Sequence, residues 1–96
     1  MIIETEASDE LLAAAVWYDD QHEGLGGEFL GAVDAVLLRV AEEPMSFMRD
    51  RFDDRARRAL VPRFPYAIVF VMHDGEVRIV ACAHTKRLPG YWTRRV

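Results

Sequence analysis

The pattern of apolar and polar residues divides the 96-residue chain into a helical first half and a strand-rich second half. A first helical stripe consists of Leu11, Ala14, Ala15 and Tyr18. Because Ser8 is a favourable N-cap, this stripe predicts a helix over Asp9–Gln21. The pattern is then interrupted by Gly24, Gly26 and Gly27, and a second stripe consists of Phe29, Val33, Val36, Leu37 and Val40. It ends before Pro44, so the first half is predicted to be a helical hairpin.

The second half carries shorter apolar runs of the length typical of strands. We predict strands over Arg57–Val61, Tyr66–Met72 and Val77–Ala83, and a short edge strand over Met1–Glu4. An Asp-Gly pair within residues 73–76 predicts a tight hairpin between the last two strands, because these residues readily adopt positive φ angles. Residues 45–56 show no clear periodicity and are predicted to form a loop or a short strand.

Helices followed by strands indicate an α+β fold. The expected arrangement is an N-terminal helical hairpin packed on a small, mainly antiparallel sheet of three or four strands. At this length, with about half of its residues apolar, residues 1–96 are predicted to form a single domain.

Charge is distributed unevenly between the two halves. Residues 1–48 hold eleven acids and only Arg39 as a base, whereas residues 49–96 hold eleven bases and five acids. The net charge of −4 is therefore the sum of a negative first half and a positive second half, and the molecule is expected to be dipolar. An acidic chain is unsuited to avid, sequence-independent binding of duplex nucleic acid, but its basic half could still bind an anionic partner locally.

The cysteine count, the spacing of the histidines and the hydropathy of the chain argue against disulfide-bonded, exported, membrane-bound and metal-binding proteins. A single cysteine, Cys82, forbids an internal disulfide and fits a reducing compartment. No apolar run approaches about 18 residues, and the acidic N-terminus lacks the basic start of a signal peptide, so we expect a cytoplasmic protein that does not bind membranes. The three histidines, His22, His73 and His84, share no ligand spacing, and neither a metal nor another cofactor is expected.

Cations and aromatic residues crowd together after the last predicted strand. The cluster consists of His84, Lys86, Arg87, Tyr91, Trp92, Arg94 and Arg95. Guanidinium groups pair with phosphate or carboxylate, and aromatic rings stack on bases or cations, so the cluster suits an anionic partner. An ordinary solvated tail is the alternative interpretation.

An ordered set of short motifs spans almost the whole chain. In sequence order it comprises Trp17-Tyr18, Gly24-Leu25-Gly26 with Phe29, Pro44, Arg63-Phe64-Pro65-Tyr66, His84, Arg87-Leu88-Pro89 and Tyr91-Trp92. This set resembles the toxins of bacterial type II toxin–antitoxin modules known as the RelE/ParE superfamily. The resemblance implies a β-α-α-β-β-β toxin domain over residues 1–96, a cognate antitoxin that wraps it, and a growth-arresting target in the same cell.

The resemblance implies two alternative targets. Members of the superfamily either inhibit DNA gyrase or cleave mRNA on the ribosome. A chain with a net charge of −4 would be repelled by ribosomal phosphates, so the sequence favours a protein target such as gyrase. The ribosome-dependent mRNA endonuclease is the alternative, and a non-toxic remnant that only binds antitoxin is a third interpretation.

Candidate residues follow from each interpretation. A metal-independent nuclease activates the ribose 2′-OH for attack on phosphate, and its candidate catalytic residues here are His84, Arg87, Arg63, Arg58 and Tyr91. The candidates for binding an acidic, amphipathic segment of the antitoxin are Arg49, Arg51, Arg57, Arg58, Lys86, Trp92 and Arg94. Structural roles compete with these assignments, because a strand-end histidine often caps the backbone and aromatic residues more often fill a core.

Overall fold

The computed structural model describes residues 1–96. The elements in chain order are β1 (Ile2–Ile3), α1 (Thr5–Gln21), α2 (Leu25–Glu42), a 3₁₀ turn (Pro44–Ser46), β2 (Arg57–Leu60), β3 (Tyr66–His73), β4 (Glu76–His84) and a last 3₁₀ turn (Thr93–Arg95). The predicted α+β class and the β-α-α-β-β-β order are confirmed. Neither helix combines the length and the apolar character needed to cross a lipid bilayer.

The four strands form one mixed sheet in the order β1-β4-β3-β2. Strand β3 pairs antiparallel with β2 and β4, while β1 pairs parallel with β4. The predicted hairpin between β3 and β4 is confirmed, with positive φ angles of 52° at Asp74 and 77° at Gly75. The register between these strands shifts between Val69 and Phe70, which leaves Val80 as the extra residue of a β-bulge.

The sheet is covered on both faces, so β3 is the buried central strand that its apolar run predicts. Helices α1 and α2 cover one face, where Phe29, Ile68, Phe70 and Ile79 are fully buried. On the other face lies a smaller cluster of Ala56, Val69, Val80, Ala81 and Trp92. The second cluster exists because the C-terminal segment, residues 85–96, folds back across this face of the sheet. The same segment forms one wall of the candidate site.

Helix α1 begins four residues earlier than the sequence predicts. Its N-cap is Glu4, whose carbonyl accepts a hydrogen bond from Ser8 N at 2.9 Å. The backbone N–H of Glu4 also donates to the carbonyl of Ile79 at 2.9 Å, so β1 passes directly into α1. The predicted N-cap at Ser8 is therefore wrong, because pairing with a distant strand places the helix start at Thr5.

Two of the three glycines between the predicted helices belong to α2. Only Gly24, at a φ of 88°, adopts the left-handed conformation that separates the helices. Gly26 packs so closely on α1 that a Cβ atom there would overlap the Ala15 carbonyl oxygen. Its N–H donates to Oδ1 of Asp19 at 2.6 Å. A carboxylate of α1 therefore accepts a hydrogen bond from one of the backbone N–H groups that have no partner within α2.

Candidate functional site

A groove opens between the C-terminal segment, the second face of the sheet and the loop after residue 49. It encloses about 240 Å³. Its charged and aromatic lining consists of Asp50, Arg51, Phe52, Arg58, His84, Arg87, Tyr91 and Trp92. The floor is formed by small residues of β3 and β4, including Ala67, Val69 and Ala83. We call this feature the C-terminal groove.

Glu10 of α1 connects the C-terminal segment to the helical hairpin beside this groove. Its Oε2 accepts a hydrogen bond from the Tyr91 hydroxyl at 2.6 Å and lies 3.3 Å from Nη1 of Arg87. Its Oε1 lies 3.0 Å from Nη1 of Arg95 and accepts the backbone N–H of Cys82 at 3.0 Å. One carboxylate therefore binds two guanidinium groups, a phenol and an amide.

The same cluster closes the free edge of β4. Strand β1 pairs only with Arg78 and Ile79, so the backbone beyond the bulge has no strand partner on that side. Glu10 accepts the N–H of Cys82, and Nη1 of Arg95 donates to the carbonyl of Val80 at 3.1 Å. Side chains thus supply the hydrogen bonds that a neighbouring strand would make.

Tyr91 is held as a neutral hydrogen-bond donor. Burial raises the pKa of its hydroxyl, and the hydrogen bond to Glu10 raises this pKa further. The guanidinium of Arg87 lies over its ring, with Cζ 3.7 Å from the ring centroid. Tyr91 and Arg87 therefore form one unit with Glu10 rather than two free side chains facing the groove.

His84 ends β4 on the groove wall. Its Nδ1 accepts the backbone N–H of Lys86 at 3.0 Å, and its ring packs edge-on against Tyr66 with centroids 5.1 Å apart. In neutral histidine only one ring nitrogen is an acceptor, so this hydrogen bond places the proton on Nε2. His84 in this state can donate a hydrogen bond into the groove but has no free acceptor nitrogen with which to remove a proton.

The opposite wall is organised by Asp50, which is buried. Its Oδ1 accepts the backbone N–H groups of Phe52 at 2.7 Å and of Asp53 at 3.3 Å. Its Oδ2 lies 3.9 Å from Nη1 of Arg58, so it also places that guanidinium on the groove wall. The predicted loop over residues 45–56 is confirmed apart from a short 3₁₀ turn and a single bridge between Arg49 and Arg57.

Four of the five candidate catalytic residues line the C-terminal groove, namely His84, Arg87, Arg58 and Tyr91. Arg63 does not. It adopts a φ of 71°, and its Nη2 lies 3.4 Å from Oε1 of Glu28 on α2. The turn before β3 therefore places Arg63 on the side of the helical hairpin, apart from the other four candidates.

The candidate partner-binding residues are distributed over several surfaces. Arg51 and Arg58 line the groove, and Trp92 lies at its base with only 3% of its surface exposed. Arg49 and Arg57 line a separate depression of about 130 Å³, where each donates to a backbone carbonyl. Arg94 lines an open surface near Glu6, and Lys86 is exposed. Trp92 is buried because its ring is part of the second core cluster, which leaves little of its surface for a partner.

Ion pairs between the two halves neutralise part of the predicted charge separation. Carboxylates of α1, its N-cap and α2 pair with second-half bases as Glu4–Arg78, Glu6–Arg95, Glu10–Arg87, Glu10–Arg95 and Glu28–Arg63. The bases without a carboxylate within 4 Å are Arg39, Arg49, Arg51, Arg57, Lys86 and Arg94. Free cations therefore remain around the groove and on β2, on a smaller surface than the charge count suggests.

Glu10 and Asp50 are the two organising residues that sequence reasoning missed. Glu10 follows buried Ala7 by three residues and precedes buried Ala14 by four, so helical spacing places it beside the buried face. A carboxylate at such a position needs a partner, and this is the signal that could have identified it. No group of three His, Cys, Asp or Glu side chains is arranged to hold a metal ion.

Comparison with solved structures finds a similar fold. One chain of the structure described as "Chromosomal ParDE TA system from P. aeruginosa" aligns with a TM-score of 0.67 and 17% sequence identity, covering 90% of this chain and 97% of that chain. The likeness confirms the fold that the sequence motifs imply. No protein-family model matches the chain, and the comparison with curated proteins gives no match.

Proposed function

We propose that this chain is the toxin of a type II toxin–antitoxin module and that it acts by binding a protein target, with DNA gyrase as the first candidate. The module assignment is supported by the fold shared with a chain of a ParDE TA system and by the ordered motifs of the sequence. The choice of a protein target rests on one observation, the capture of Arg87 and Tyr91 by Glu10.

This capture places a carboxylate beside two of the groups that an RNA-cleaving site would need. Stabilising a phosphorane requires cations aimed at the developing charge, and a carboxylate beside them competes with phosphate. The hydrogen bond from Lys86 to Nδ1 of His84 also leaves no acceptor for the 2′-OH proton. The net charge of −4 adds repulsion from ribosomal phosphate.

The rim of the C-terminal groove favours protein recognition. Phe52 and Leu88 line the groove and are largely exposed. Arg51 lies beside them without a carboxylate partner, and apolar or aromatic side chains next to arginine are typical of protein interfaces. A partner segment with carboxylates and apolar side chains would complement this rim.

A cognate antitoxin with an acidic, amphipathic segment is the partner proposed for the free cations around β2 and the groove. Arg49, Arg51, Arg57, Lys86 and Arg94 are the proposed contacts, with Arg58 at the groove wall. Binding of such a segment stabilises the folded state through mass action. We expect the product of the neighbouring gene to raise the melting temperature of the chain, and an unchanged melting temperature at saturation would contradict the proposal.

The gyrase proposal is tested with purified components. The chain is added to gyrase and relaxed plasmid, and blocked supercoiling or accumulation of cleaved DNA complexes is the expected result. Leu88→Ser should weaken inhibition because it removes an apolar rim contact, while Arg39→Ala on α2 serves as the matched control away from the groove. Full supercoiling in excess chain would eliminate gyrase as the target.

A ribosome-dependent mRNA endonuclease is the second candidate, because the groove does bring His84, Arg58, Arg87 and Tyr91 together. In this case displacement of Glu10 by RNA would have to free Arg87. Mapping of mRNA ends on ribosomes distinguishes the two functions. Cleavage that disappears in both His84→Ala and Arg87→Ala would establish the nuclease in place of the protein-binding toxin, and unaffected growth on induced expression would indicate a non-toxic remnant.

A further inference from the structure

Helix α1 is apolar on its outer side as well as on the side that faces the sheet. Residues 11–18 form an uninterrupted apolar run, Leu-Leu-Ala-Ala-Ala-Val-Trp-Tyr. Four of them, Leu11, Ala14, Ala15 and Tyr18, are buried. The other four point away from the core, with 58% of Leu12, 62% of Val16 and 57% of Trp17 exposed.

Such a pattern is unusual for a helix at the surface of a soluble domain. A surface helix normally carries a single apolar stripe, and a helix that is apolar all round is covered on all sides. Leu12 and Val16 are four residues apart and so form a ridge along the helix axis, with Ala13 and Trp17 beside it. A second helix laid along α1 would bury this ridge in the way that helices pack on one another.

The charges around the ridge select the kind of helix that fits. Asp9 precedes it by one turn, and Asp20 and Glu23 follow it. None of these three carboxylates has a cation within 4 Å, in contrast to the carboxylates of Glu4, Glu6 and Glu10, which pair with arginines of the second half. The only base of the first half, Arg39, lies on α2 over the ring of Phe47 at 5.2 Å. The outer side of α1 is therefore both apolar and uncompensated in its negative charge.

We propose that the outer side of α1, around Leu12, Val16 and Trp17, is a docking surface for a basic amphipathic helix of a protein partner. Lysine or arginine residues flanking the apolar face of that helix would pair with Asp9, Asp20 and Glu23. Nucleic acid is excluded as the occupant, because phosphate would face only carboxylates here. The surface lies on the helical layer, whereas the C-terminal groove lies on the opposite face of the sheet, so the two can be occupied independently.

The fluorescence of Trp17 gives a direct test. Trp92 is buried and Trp17 is exposed, so a blue shift on binding reports on α1. The probe is a synthetic amphipathic peptide of leucine and lysine with leucine at helical spacing, and the matched control is the same peptide with glutamate for lysine. We expect saturable binding of the lysine peptide alone, a weaker affinity at high salt, and no shift in Trp17→Phe.

Variants locate the site on the chain. Leu12→Ser combined with Val16→Ser should weaken binding of the lysine peptide about tenfold or more, and Asp9→Asn with Asp20→Asn should weaken it severalfold. Leu88→Ser, on the groove face, should leave the affinity unchanged. All of these side chains are exposed, and melting temperatures check that each variant is folded.

Three results would overturn the proposal. The first is equal binding of the lysine and glutamate peptides. The second is an affinity that none of the α1 variants changes. The third is self-association in sedimentation experiments that disappears in the Leu12 and Val16 double variant, because it would identify a second copy of the chain as the occupant.

Discussion

The hydroxyl of Tyr91 donates a 2.6 Å hydrogen bond to Oε2 of Glu10, although 81 positions separate the two residues in the sequence. Through this contact the first helix holds the C-terminal segment against the sheet. Arg87, Arg95 and the backbone of β4 converge on the same carboxylate. The shape of the C-terminal groove therefore depends on a residue of the helical hairpin that does not line it.

Removing the Glu10 carboxylate should destabilise the fold and loosen the C-terminal segment. Glu10→Ala leaves the Cys82 N–H without its acceptor and removes the carboxylate that binds Arg87 and Arg95, so we expect a loss of about 2 to 3 kcal/mol in the free energy of unfolding. Urea denaturation of the unsubstituted chain and the variant measures this loss in unfolding free energy. Glu76→Ala is the matched control, because Glu76 pairs only with the exposed N-terminus at 3.5 Å and its loss should change stability by less than about 0.5 kcal/mol. Equal effects of the two substitutions would contradict the organising role of Glu10.

Gly26 and Gly31 of α2 should respond in opposite directions to substitution by alanine. A Cβ atom at Gly26 overlaps the Ala15 carbonyl oxygen and lies 2.8 Å from Oδ1 of Asp19, so Gly26→Ala should cost about 1 to 3 kcal/mol. A Cβ atom at Gly31 meets nothing within 4 Å, so Gly31→Ala should raise stability by about 0.5 to 1 kcal/mol through helix propensity. Thermal denaturation of both variants would show this difference in sign, and a stabilised Gly26→Ala would disprove the close approach of the helices.

Asp50 should control the order of the loop that forms one groove wall. Asp50→Ala removes the acceptor for the Phe52 and Asp53 amides, with an expected loss of about 1 to 3 kcal/mol. Hydrogen exchange should show faster exchange at these two amides, while the β3 and β4 amides remain protected. Asp54→Ala, at an exposed neighbouring position, is the control and should leave the exchange of Phe52 unchanged.

Stability should fall at alkaline pH, and Cys82 should account for part of the fall. Burial, together with a smaller contribution from the nearby Glu10 charge, raises the pKa of the Cys82 thiol from 9.0 to about 12. Because the folded state keeps the proton and the unfolded state loses it, this contribution is complete below pH 9 and is lost as the pH rises toward 12. Cys82→Ala should reduce the slope of unfolding free energy against pH over this range. An unchanged slope would show that the thiol does not contribute.

Local patterns made most of the fold predictable. The helical stripes, the Asp-Gly turn and the apolar run of β3 each depend on neighbours within a few residues, and the structure confirms the elements they predict. The start of α1 was misplaced because it is fixed by the bond from Glu4 to Ile79, which no local signal contains. Gly26 and Gly27 were assigned to the interruption between the helices but belong to α2, because Gly26 serves helix packing rather than a turn.

The sequence predicts several of the residues that form the candidate site, but not which contacts they make with one another. The sequence identifies His84, Arg87 and Tyr91 as chemically capable groups, and the fold does gather them. It does not reveal that Glu10 captures two of them, because the contacts span more than 70 positions. An aromatic residue such as Trp92 fits both a core and an interface, so its burial depends on how the C-terminal segment folds back.

The parallel pairing of β1 with β4 has a consequence for synthesis of the protein. The first strand to leave the ribosome has no partner until residues 78 and 79 emerge, and the Glu10 carboxylate cannot pair with Arg95 until 85 further residues have been synthesised. A nascent chain consequently cannot complete the sheet before β4 has been synthesised. The C-terminal groove can form only after Tyr91, Trp92 and Arg95 have been synthesised, because these residues line it or bind the Glu10 carboxylate that holds its wall.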